Sequence, residues 1–131
     1  MKIIVCLDDN NGMMFNNRRQ SRDKEVYSDI VKSFDNILIS PYSLSLFADF
    51  PQNVSVSENL LQNGWYFIED TDISSFHNDI EEIVIYRWNR VYPADKHFDI
   101  DLSKYSLSAS NEFTGNSHEK ITKEIYTRQV N

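Results

Sequence analysis

The sequence predicts an α/β domain: a mixed sheet flanked by short helices, with an antiparallel hairpin at its carboxy-terminal end. Three observations carry this expectation. The runs KIIVCL (Lys2–Leu7) and IVIYRW (83–88) are almost continuously apolar, the pattern of strands covered on both faces. Strand-like and helix-like segments alternate over roughly the first 90 residues, as in sheets with helical crossovers. Beyond them the chain turns to long extended segments separated by a turn signal.

In chain order, KIIVCL is the first core strand, and Cys6 within it reads as a small apolar residue rather than a reactive thiol. The turn-rich DDNNG (8–12) ends that strand. Asp23 can cap a helix in which Val26, Ile30 and Phe34, with Tyr27 and Val31, recur at three- and four-residue spacing, to about Ser33. A short strand at 36–39 precedes PYSLSLF, whose Pro41 suits the first turn of a short helix ending near Asp49. Val54–Val56 is strand-like, SENLLQNG (57–64) resembles a capped helix stopped by glycine, and Trp65–Ile68 is again a strand. IVIYRW is rich in β-branched and aromatic residues, and Tyr105–Phe113 favours a strand. The segment 117–128 fits either a helix, with Ile121 and Ile125 four apart, or the returning strand of a hairpin across 114–116.

A chain of 131 residues, 40% of them hydrophobic, supports one core and hence a single domain over 1–131. No apolar stretch approaches the roughly 20 residues of a membrane helix, and KIIVCL follows the first residue without a tripartite leader, so a soluble cytoplasmic protein is expected. Cys6 is the sole cysteine, which excludes an intrachain disulfide and a thiolate metal cluster. A net charge of −7 opposes the counterion release that drives nucleic-acid binding, so that partner is disfavoured.

Two stretches are similar to a known family. Ala94-Asp95-Lys96-His97-Phe98 follows IVIYRW and precedes YSLSASNEF. This resembles the Gly-Asp-Thr-His-Phe loop of dihydrofolate reductases, which also lies between a sheet strand and a carboxy-terminal hairpin. IIVCLDDNNGMMFNN resembles the family's first strand and mobile loop. The resemblance implies a dihydrofolate reductase-like fold and makes Asp95 the residue that ties its loop to the backbone of 12–16. It also implies that Asp23, or Glu25, stands near the position of the pterin-binding carboxylate, which favours protonation of the substrate before hydride arrives from NADPH. For Asp23 the plainer reading is a helix cap.

The departures from the family bear on function. NRRQSRD stands where the family has a Pro-Trp pair, and ILISPYSLSLF lacks its Gly-Arg-x-Thr motif. Glu69-Asp70 replaces a Gly-Gly pair that lets backbone and a helix amino terminus approach the cofactor pyrophosphate; two carboxylates reverse both advantages. Tyr86 takes the place of a threonine and would fill part of the pterin space. The expectation is a scaffold kept and a reductase site lost, with no cofactor, NADPH being the alternative.

Four constellations remain. NNRRQSRDK gathers Arg18, Arg19, Arg22 and Lys24 in an acidic protein, either as a solvated loop or as a site for an anionic small molecule or acidic protein surface. Tyr86, Arg87 and Arg90 around Trp88 could join it at a strand end. His118, in SHEK, is a candidate general acid or base. Asp95, His97, Asp99 and Asp101 alternate along an extended segment, but spacings of nearly 7 Å prevent all four from meeting one ion, so no metal is expected. Trp65 and Trp88 read as packing residues. The leading expectation is a small intracellular ligand- or protein-binding module. The alternatives are an NADPH-dependent reductase of a pterin or related heterocycle and an RNA-processing protein. The latter follows from likeness to short bacterial chains labelled ribonuclease Z, although histidines 77, 97 and 118 cannot build a His-x-His-x-Asp-His zinc motif.

Overall fold

The computed structural model describes residues 1–60 and 63–130. Ten strands and one α-helix follow in order: β1 (Lys2–Leu7), β2 (Gly12–Phe15), β3 (Arg18–Arg19), α1 (Lys24–Ser33), β4 (Ile37–Ile39), β5 (Val54–Val56), β6 (Trp65–Ile68), β7 (Glu82–Arg87), β8 (Lys96–His97), β9 (Tyr105–Phe113) and β10 (Ile121–Arg128). Seven strands form one sheet in the order β5-β4-β6-β1-β7-β10-β9, and β3-β2-β8 form a small second sheet. The strands from β5 to β7 are parallel, whereas β10 runs antiparallel to both β7 and β9.

Burial on both faces explains the uninterrupted apolar run of β1. Ile3, Val5 and Leu7 point into one cluster with Met13, Tyr66, Ile68, Ile83, Ile85, Phe98 and Tyr105. Ile4 points the other way, towards Val26, Tyr27, Ile30 and Val31 of α1 with Phe47, Phe67 and Tyr86. In α1 these apolar positions fall on one face, and Asp23 caps the helix by accepting from Glu25 N at 3.0 Å. Tyr27 meets Phe47 and Phe67 edge-on, fixing the helix over β6.

Several expectations are corrected or resolved. The segment 117–128 is the returning strand β10, joined to β9 through a turn in which Gly115 N donates to His118 O. The short helix at Pro41 is a 3₁₀ helix, Pro41–Phe47. SENLLQNG contains no helix in its described residues, while Leu61 and Gln62 lie outside them. Ser57 Oγ is engaged locally with Asn59, and that bond competes with helix nucleation. The strands β2, β3 and β8 carry no marked apolar pattern: β2 pairs with β8 across about 80 residues, and β2 and β3 close a tight hairpin through Asn16 and Asn17, both at positive φ.

Candidate functional site

In parallel sheets, ligands collect beyond the carboxyl ends of the strands. Here side chains fill the part of that region between Cys6 and Glu69. Arg19, just before α1, sends Nε and Nη2 to both Glu69 oxygens at 2.8 and 3.1 Å, stacks its guanidinium over Tyr42 and donates to Tyr42 O. Ser43 Oγ gives Glu69 a third bond at 2.7 Å. Asp70 accepts from Ser40 Oγ. The space left among Cys6, Met13, Tyr27, Glu69 and Trp88 is only about 10 Å³. Burial, then the Glu69 and Asp23 charges, push the Cys6 thiol up, which leaves it protonated and inert.

The arginines read together in the sequence are divided by the fold. Arg19 is consumed by Glu69, and Arg87 by Glu124, Asp8 O and Asn11 Oδ1. Arg18, Arg22 and Arg90 are exposed and make no ion pair among the described residues. Tyr86 is fully buried under α1, where its phenol donates to Asp29 Oδ2 at 2.6 Å and Lys123 Nζ reaches the same oxygen at 2.8 Å. Burial, reinforced by the Asp29 charge, raises that phenol well above its usual range. Tyr86 is therefore a core residue, which corrects its assignment to a ligand site.

Asp23 and His118, 95 residues apart, meet. Asp23 Oδ2 lies 2.9 Å from His118 Nδ1, and the carboxylate also accepts from the backbone N of Glu25, Asn116 and Ser117 and from Ser117 Oγ. Burial alone would raise its pKa, but Asn116 N, His118, Ser117 N and Glu25 N outweigh that and lower it to about 2. A Cβ on Gly115 would fall 2.5 Å from Asp23 Oδ2, so this turn needs glycine to close on the carboxylate. The imidazole stacks on Trp88 at 4.7 Å, and its Nε2 lies 3.1 Å from both Ser21 Oγ and Tyr92 Oη. Sequence spacing gave no sign of Ser21 or Tyr92.

The aspartate that braces the first loop most strongly is Asp8. It is fully buried; Oδ1 accepts from Asn10 N and Gly12 N, and Oδ2 from Gln20 Nε2 and Tyr92 N. Asp95 makes one exposed bond, from Asn16 N at 3.1 Å, while Asp95 N donates to Met14 O. Asp95→Asn is accordingly expected to cost under about 1 kcal/mol, with faster amide exchange confined to Asn16 and its neighbours. A larger or more widespread loss in urea melts and exchange spectra would count against this placement. Asp101 caps Leu102–Lys104, and among the described residues no cluster of His, Cys, Asp or Glu could hold a metal. No described helix is long and apolar enough to cross a membrane.

A cavity of about 560 Å³ opens between the β2–β3 turn and the Tyr92-Pro93 loop. Phe15, Asn16, Arg18, Gln20, Tyr92 and Pro93 line it, with Arg19 at its wall. A smaller cavity of about 210 Å³ at the ends of β4, β5 and β6 carries Glu58 and Asp70 and no basic residue.

A mostly parallel sheet with the order above, one antiparallel hairpin at its edge and few helices is the dihydrofolate reductase fold. The solved structure of dihydrofolate reductase from Enterococcus faecalis, complexed with NADP(H) and RAB-propyl, matches over 98% of this chain and 96% of that one. The TM-score is 0.70 and the sequence identity 9%. No family model and no curated protein matches the sequence. At that identity the likeness establishes the fold, and function must be argued from the site.

Proposed function

We propose that the chain is a small binding module for an anionic ligand, built on a dihydrofolate reductase-like scaffold whose reductase chemistry is gone. The observation that carries this reading is the 560 Å³ cavity, which Arg18, in no ion pair among the described residues, lines together with the exposed ring of Phe15 and the half-buried ring of Tyr92. A guanidinium next to aromatic faces suits a flat body carrying a carboxylate or phosphate. Arg22 and Arg90, exposed and in no ion pair among the described residues, could attract such a ligand over longer range.

Two features weigh against the reductase alternative. Asp23, the residue nearest the family's pterin-binding carboxylate, already accepts from the Asn116–His118 turn and from Ser117 Oγ, and has little capacity left for a heterocycle. Glu69 and Asp70 put negative charge where a cofactor pyrophosphate would need backbone donors. For RNA processing, the candidate His118 is 5% exposed, out of reach of a polynucleotide backbone.

A thermal-shift series with aromatic carboxylates and nucleoside monophosphates, run against Arg18→Glu, tests the proposal. Binding to the parent chain is expected to weaken about 10-fold or more in the variant, since a charge-assisted bond is replaced by repulsion. Equal affinity in both chains would remove Arg18 from the site. Oxidation of NADPH in the presence of dihydrofolate would instead establish the reductase.

A further inference from the structure

The Asp23–His118 pair explains how α1 is tied to the β9–β10 turn, but not why two hydroxyls converge on the far side of the same ring. Ser21 Oγ and Tyr92 Oη both stand 3.1 Å from Nε2, a nitrogen with one lone pair when Nδ1 carries the proton. The carboxylate on Nδ1 sets that tautomer, because an ionised Asp23 only accepts. Ser21, His118 and Asp23 thus stand in the order nucleophile, base and positioning carboxylate, at 3.1 and 2.9 Å. Ser21 is partly exposed, whereas His118 and Asp23 are buried, so of the three residues Ser21 is the one nearest to incoming molecules.

We propose that Ser21 is an acyl-accepting nucleophile, activated by His118 and positioned through Asp23, acting on esters of short acyl groups. Ser21 Oγ forms a bond to the carbonyl carbon while its proton passes to His118 Nε2. The carbon–oxygen bond to the alcohol then breaks, and the leaving oxygen takes that proton. Water attacks the acyl-serine, gives one proton to Nε2, and Ser21 departs with it, so that ester and water become acid and alcohol. Because Nε2 has one lone pair, Tyr92 does not donate there while Ser21 does, and its hydroxyl is then free to donate to the carbonyl oxygen as its charge grows. Ser21 lines a void of about 10 Å³, no larger than one water, so only the smallest acyl groups can be accommodated, and then by displacing its lining; Arg19 and Gln20 border both this void and the 560 Å³ cavity, which gives the alcohol side a direction in which to extend.

This inference does not rest on the anion site, and an uncharged probe keeps the two apart. The full chain is incubated with an alkyl fluorophosphonate, which places phosphorus on the serine oxygen and releases fluoride, and the adduct is mapped by peptide mass. One adduct on Ser21 is expected, absent in Ser21→Ala, together with p-nitrophenyl acetate hydrolysis that Ser21→Ala abolishes. Ser21→Ala removes one partly exposed hydroxyl, and an unchanged melting curve will show that it folds. Asp23→Asn retains a side-chain oxygen for the helix cap. It is expected to slow labelling about 100-fold and to lower kcat for p-nitrophenyl acetate while leaving KM near the parent value, a split that a merely structural role would not produce. No adduct above the Ser21→Ala background, an adduct on another residue, or an Asp23→Asn kcat equal to the parent's would each overturn the proposal.

Discussion

Asp23→Ala is expected to destabilise the fold by about 3–5 kcal/mol, since several buried donors lose a charged acceptor and each unsatisfied one costs about 1–3 kcal/mol. The substitution removes the cap of α1 and the acceptor for Asn116 N, Ser117 N and Ser117 Oγ. It also leaves His118 Nδ1 without its carboxylate. Because the folded-state pKa of Asp23 is about 2, below the roughly 3.9 of an unfolded aspartate, its contribution is fully present above pH 4. It is lost as pH falls from about 4 through about 2, and the shift is worth about 2 kcal/mol. Urea melts from pH 7 to pH 2 should therefore show the parent losing stability in that window and Asp23→Ala losing correspondingly less. A variant within about 0.5 kcal/mol of the parent at pH 7, the range of an ordinary surface change, would remove Asp23 from the centre of the structure.

Asp8→Ala is the second large effect, at about 3 kcal/mol, from four donors left facing a buried methyl group. Three of these donors are the backbone N of Asn10, Gly12 and Tyr92, so the damage should spread across both loops at the end of β1 and β7. Amide exchange at Gly12, Met13 and Tyr92 should accelerate well before the sheet core does. The carboxyl is held below the usual aspartate range: burial opposes ionisation, but the N–H groups of Tyr92, Gly12 and Asn10 and the Gln20 amide prevail. Stability drawn from Asp8 is accordingly also lost as pH falls below the unfolded aspartate value. Should Asp8→Ala and Asp95→Asn prove equally mild, neither aspartate braces the loop.

Local pattern made much of this architecture legible. β1 and β7 announce themselves because burial on both faces demands continuous apolar residues, and α1 because its cap and its four-residue spacing agree. The segment 117–128 was ambiguous because Ile121 and Ile125 suit a helix as well as a strand. Tertiary context decided, since β10 fills the position between β7 and β9. The site was far less legible. Asp8 reads as a turn residue until Gln20 and Tyr92 arrive from 12 and 84 residues away. Arg18 and Arg19 are neighbours in sequence, yet alternation in β3 gives them opposite fates, one exposed and the other bound to Glu69. Asp23 and His118 were each singled out, but nothing in their spacing indicated that they share a hydrogen bond.

The place of β1 at the centre of the sheet sets a timetable for biosynthesis. Its register partners on β7 follow it by 80 residues, Lys2 against Glu82, and those on β6 by 63, Lys2 against Trp65. At about 5–20 residues per second, β1 waits roughly 4–16 seconds outside the ribosome for its second neighbour. Until β6 emerges KIIVCL is an unpaired, almost uncharged apolar strand, and until β7 emerges it keeps one open edge, the kind of segment that holding chaperones bind and that seeds aggregation when left uncovered. The hairpin of β9 and β10, by contrast, can close on itself within microseconds of emerging. The slow step in making this protein is thus the completion of its middle, and synonymous changes that slow translation between β1 and β7 should lower soluble yield without altering the folded molecule.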